Sequence, residues 1–162
     1  MLQNVRMNEE TTLRDLLRNL LDWDNAHIRF DDAVKDFPRE LRGRRPDNGP
    51  HSPWELLEHL RIALEDILEF SRDGSHVSPE FPAGYWPDSV APPTPAAWDE
   101  SVAAYRASLR AFGELATDAS VDLFAPIPNG GGKTVLRELV LAADHNAYHL
   151  GQLMMVRRIL GA

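Results

Sequence analysis

Leu13, Leu16, Leu17, Leu20 and Leu21 recur at steps of three and four residues, the spacing that lines one face of an α-helix. They predict a first helix at about residues 10 to 23, whose leucine stripe needs a partner. Ile28, Val34 and Phe37 sit among charges and predict a short helix from His27 to Asp36, stopped by Pro38. The next start signal is stronger. Ser52, Pro53 and Glu55 match an N-cap, a first-turn proline and the third residue of a capping box, so a second long helix begins at Pro53. Leu56, Leu57, Leu60, Ala63, Leu64, Ile67 and Leu68 carry its apolar face, and Asp73-Gly74 ends it.

Residues 74 to 95 hold six prolines together with Phe81, Tyr85 and Trp86, too broken for regular structure and too apolar for a free linker. They predict a loop packed over the rest. Trp98, Val102, Tyr105, Leu109 and Phe112, at alternating steps of four and three, predict a third long helix at about residues 95 to 117. After the turn-rich PIPNGGG, a fourth runs from Thr134, a plausible N-cap, to Leu160, with Gly161 at its end. No segment alternates in the manner of a strand. The pattern predicts an all-α four-helix bundle with long loops, residues 1–162 forming one domain.

The totals narrow the chemistry. Among 162 residues there are 25 acidic and 17 basic side chains, a net charge of −8 that repels nucleic-acid phosphates and anionic lipid surfaces. No nucleic-acid or membrane partner is expected, and the polar start MLQNVRMNEETTLRD does not read as a secretory signal, which makes the cytoplasm the default location. There is no cysteine, so any metal site is built from histidines and carboxylates.

One pair of histidines draws attention. In DHNAYHLGQL, His145 and His149 stand one helical turn apart on a single face, pointing at one object: a metal ion, or only the packed core. Zinc, nickel and similar ions accept neutral imidazole nitrogens, and three protein ligands leave a position open for water or substrate. The third candidate is His59, mid-helix in LLEHLR among core-facing leucines, whereas His51 precedes an N-cap and His27 and His76 lie in or beside loops.

Other motifs have plainer readings. Asn146 follows His145 where the HExxH metallopeptidase motif needs a glutamate, so the base of that chemistry is missing. Glu55 belongs to its capping box, and Asp144 either orients a ligand or is solvated. GGGKT at 130 to 134 lacks the first glycine of a phosphate loop, with Ile127 in its place, and reads as a turn feeding a helix N-terminus. Trp54, Trp86 and Trp98 sit at spacings more typical of core or loop packing than of a substrate wall.

With the helices placed, HSPWELLEHLR, GYWP and LRELVLAADHNAYHLGQL together resemble the DinB-like family of metal-binding four-helix bundles, from about residue 10 onward. The resemblance implies that His59, His145 and His149 bind a divalent metal, commonly zinc or nickel, at one end of the bundle cavity. It also implies a homodimer and, by analogy with related transferases and isomerases, a low-molecular-weight thiol such as bacillithiol or mycothiol as co-substrate. Two functions are expected from this. One is a metal-dependent enzyme of thiol S-transferase or hydrolase type acting on a small molecule; the alternative is a non-catalytic metal- or small-ligand-binding stress protein.

Overall fold

The fold was analysed in a computed structural model that describes residues 2–162, with side chains from residue 9 onward. Its α-helices are α1 (Leu2–Leu20), α2 (Phe30–Val34), α3 (Pro53–Arg72), α4 (Ala97–Thr117) and α5 (Val135–Leu160), and no strand occurs among the described residues. The four long helices form the all-α bundle that the apolar spacing predicts. Helix α4 packs between α1 and α3, and α3 in turn lies against α5. The α1–α5 side is closest to open, and the segment around α2 fills it.

Helix α3 starts where its capping box predicts. Ser52 Oγ accepts from the Glu55 amide at 3.2 Å, and Glu55 Oε2 accepts from the Ser52 amide at 2.7 Å, so two helix-end donors are satisfied reciprocally. Burial raises the Glu55 pKa, but hydrogen bonds from Arg45 and Ser52 outweigh it and hold the carboxyl below its ordinary range. Leu56, Leu57, Leu60, Leu64 and Leu68 are at most 3% exposed and meet Trp98 and Phe112 of α4 and Leu139 and Leu153 of α5 in one core. Full burial of each such leucine stabilises the fold by roughly 1.5–3 kcal/mol.

Three helices have ends that differ from the sequence expectation. Helix α1 begins at Leu2 rather than near residue 10, since no cap or breaker lies in between, and it ends at Leu20 rather than 23. There the Asp22 carboxylate takes both Arg29, at 2.8 and 3.0 Å, and the Phe30 amide, at 3.3 Å, which turns the chain toward α2. Helix α2 is shorter than His27 to Asp36: Arg29 is still extended at ψ 157°, and Lys35 leaves the helix at ψ 130°, followed by Asp36 at a left-handed φ of 51°, before Pro38 is reached. Helix α4 starts at Ala97, not 95; the Thr94 hydroxyl accepts from the Ala97 amide at 3.1 Å.

Helix α5 has the expected ends: Thr134 Oγ1 accepts from the Arg137 amide, and Gly161 takes φ 77°, the left-handed turn that closes a helix without a Cβ clash. Two arginines tie the bundle together through helix carbonyls. Arg14 of α1 donates to the carbonyls of Ala116, Asp118 and Val121 at the end of α4, and Arg157 of α5 to those of Ala33 and Lys35 at the end of α2. No helix among the described residues is long and apolar enough to cross a membrane.

Candidate metal centre

His59 occupies the first half of α3, and His145 and His149 the middle of α5, so the two helices deliver imidazoles from opposite walls. The rings converge. His59 Nε2 lies 3.0 Å from His149 Nε2 and 3.1 Å from His145 Nε2. The three residues form the one His/Cys/Asp/Glu group among the described residues whose ligand atoms lie close enough together to share a metal ion.

Two of the three tautomers are fixed from behind. His59 Nδ1–H donates to the Tyr85 carbonyl at 2.8 Å, and His149 Nδ1–H to Gln152 Oε1 at 2.7 Å, which leaves a bare lone pair on each Nε2. Those lone pairs face each other at 3.0 Å with no proton between them, an arrangement that repels until a cation is shared. A zinc ion 2.0–2.1 Å from each of three imidazole nitrogens would hold them about 3.3 Å apart, close to the observed spacing. Nδ1 of His145 is buried without a partner while its Nε2 faces the bare His59 Nε2 at 3.1 Å, so without a metal the proton of this ring belongs on Nε2, the atom a metal would claim.

Charge points the same way. Burial, reinforced by the charges of the other two histidines, pulls the His145 pKa down to about 3; burial and then His59 pull His149 down to about 4, and burial lowers His59 as well. All three rings are therefore neutral at pH 7, the state in which imidazole ligates metals. The donor set fits a divalent cation of borderline character.

The proline-rich loop supplies the lid. Trp86 lies flat on His59, with ring centres 4.0 Å apart and planes 3° from parallel, and its other face stacks on His51 at 4.1 Å. Tyr85 holds the loop down, its hydroxyl donating to Asp66 Oδ2 at 2.6 Å while His76 Nε2 meets Asp66 Oδ1 at 3.0 Å. Burial, with the hydrogen bond to Asp66, pushes the Tyr85 phenol up to about 12, so it stays a donor. Beside the imidazoles a cleft of about 310 Å³ opens between α3, α5 and this loop.

The candidates read from sequence sort cleanly. His59, His145 and His149 come together; His27 is tied locally to the Ile28 carbonyl, and His51 and His76 sit around the site without joining the cluster. Trp54 and Trp98 are core residues, whereas Trp86 lies at the site rather than in simple loop packing. Asp144 is exposed and orients no ligand; Gln152 and the Tyr85 carbonyl do that work. Gln152 carries the helical spacing that would have found it, three residues after His149. The Tyr85 carbonyl carries no side-chain signal. The GGGKT run is a turn, as expected, with Gly131 and Gly132 at φ 63° and 85° and the Ile127 amide bonded to the Lys133 carbonyl.

The family profile described as the DinB superfamily matches residues 22–153, most of the chain and all three histidines. No curated protein and no solved structure matches it.

Proposed function

From the premise that the chain belongs to the DinB superfamily, we propose that it is a metal-dependent enzyme of thiol S-transferase or hydrolase type, with His59, His145 and His149 holding one divalent ion. The observation that carries this reading is the pair of Nε2 lone pairs aimed at a common point at the end of a cleft. A zinc or nickel ion bound there favours the deprotonated form of a thiol or water at neutral pH. Three ligands from the chain leave room for that nucleophile.

The remaining steps belong to the protein's own residues. Trp86 covers His59 and keeps bulk water from that side, which strengthens every electrostatic interaction beneath it. Both oxygens of Asp66 are engaged by Tyr85 and His76, so this carboxylate locks the loop to α3 and the nucleophile's proton leaves to solvent. The apolar walls of the cleft receive the small electrophile. A homodimer is part of the proposal: the outer face of α5 exposes Val140, Tyr148, Met155 and Ile159, interrupted by Asp144 between the first two, as a surface for a second copy.

The direct test measures metal content and then thiol addition to an activated aryl halide, with zinc-loaded, nickel-loaded and chelator-stripped protein. One ion per chain and a rate at least about tenfold above the stripped protein are expected. Equal rates across several thiols, and no hydrolysis of activated esters, would remove the enzymatic reading. The tautomer lock gives a second expectation. Gln152→Leu should weaken metal binding by about 10–100-fold, the usual effect of losing an outer partner, in competition titrations against a chromophoric chelator. Unchanged affinity would show that Gln152 does not set the ring.

A further inference from the structure

Helices α3 and α5 run antiparallel along the cleft, so the wall that starts at His59 and His145 ends beside Lys133 and Arg137. Arg137 precedes His145 by eight residues, about 12 Å of helix rise. Between these ends the lining is mostly apolar, with Ile67, Phe70 and Leu141 below and Phe81 of the loop above, and Asp66 and Ser78 as polar side chains among them. Phe81 is 84% exposed although it faces the cleft, an aromatic ring left for something else to cover.

Charge at the far end is unbalanced. Arg137 gives one amino group to Glu138 at 2.7 Å, an ion pair whose carboxylate is 2% exposed, and keeps its other donors. Lys133 rests 5.1 Å above the Phe70 ring and meets no carboxylate among the described residues. The other charge facing the cleft, Asp66 on α3, is engaged by Tyr85 and His76. Of the two cations, Lys133 is the one with no carboxylate in contact, and Asp66, the carboxylate not paired with Arg137, already has both oxygens occupied.

We propose that the cleft binds an elongated small molecule with an apolar body and a single carboxylate end, seated between Lys133 and Arg137, its reacting end at the imidazoles. The lysine supplies a point charge and the free guanidinium edge a planar fork that matches a carboxylate. The reacting end rests on the metal reading above; the carboxylate end stands without it.

The probes are 4-phenylbutyrate, 4-phenylbutanol and 4-phenylbutylamine, titrated calorimetrically into stripped and zinc-loaded protein. In stripped protein the acid should bind at least about tenfold tighter than the alcohol, with the amine weakest. Lys133→Met, at an exposed position with no ion pair to break, should lower that preference severalfold, and adding Arg137→Gln together with Glu138→Gln, so that no buried carboxylate is stranded, should abolish it while leaving the alcohol's affinity unchanged, with circular dichroism checking the fold. Equal affinities for acid and alcohol in stripped protein overturn the proposal. So does a preference that appears only with zinc and survives these substitutions, because the carboxylate is then a metal ligand. A preference present in stripped protein that never binds zinc upholds the carboxylate site and removes the metal centre instead.

Discussion

His149→Ala is expected to abolish tight metal binding and leave the bundle folded. Losing one of three imidazoles should lower affinity by at least on the order of 10³-fold, beyond the 10–100-fold of an outer partner. His149 lies beside the apolar core rather than within it, alanine is the best helix former, and removal of one Nε2 relieves a lone-pair contact at 3.0 Å. The metal-free variant should therefore melt close to the metal-free parent. Wild type at a zinc concentration a hundred times its Kd gains about 2.7 kcal/mol, or about 5–10 °C in Tm for a domain of this size, and the variant gains nothing. A zinc-dependent Tm rise that persists in His149→Ala would place the ion elsewhere; a variant unfolded with or without zinc would make this histidine part of the scaffold.

The sequence made the three histidines legible because each signal is local. His145 and His149 share a face by helical period, and His59 sits among leucines whose direction the same period fixes. What holds those rings was not legible. The Tyr85 carbonyl reaches His59 across 26 residues through main chain, which leaves no trace in residue type, and Trp86 reaches the site by the path of a loop without periodicity. Asp144 drew attention by adjacency, yet neighbours in a helix point about 100° apart, and the working partner of His149 is Gln152, three residues on.

Helix ends show the same division. Ser52, Thr134 and Gly161 are chemical signals and mark their boundaries. The end of α1 carries no such signal; it is set by the Asp22 carboxylate reaching Arg29 and the Phe30 amide, a contact that depends on where α2 lands. The α1–α4 union is likewise invisible to periodicity, since an arginine inside the leucine stripe reads as a polar position.

Arg14→Met is expected to destabilise the bundle at a point remote from the three histidines. Arg14 is 5% exposed, and its guanidinium donates to three carbonyls at and just after the end of α4: Ala116 at 3.1 Å, Asp118 at 2.9 Å and Val121 at 2.7 Å. The Ala116 carbonyl is a buried group that the end of α4 cannot satisfy by itself, the Asp118 and Val121 carbonyls belong to the turn that follows, and a cation beside them also opposes the negative end of the helix dipole. Methionine keeps the apolar stem and removes every donor. The loss should be about 3 kcal/mol, since one buried acceptor is stranded at about 1–3 kcal/mol and two further hydrogen bonds from a charged group, to part-buried carbonyls, go with it. Glu10, the salt-bridge partner, is 57% exposed and returns to water at little cost. In urea the midpoint should fall with an unchanged slope, and Tm by about 6–12 °C. Arg14→Lys should recover only part, because an ammonium cannot span three carbonyls set out for a planar fork. A loss under about 1 kcal/mol would mean that water satisfies the α4 terminus and that the α1–α4 union rests on Leu17, Phe112 and Ala116 alone.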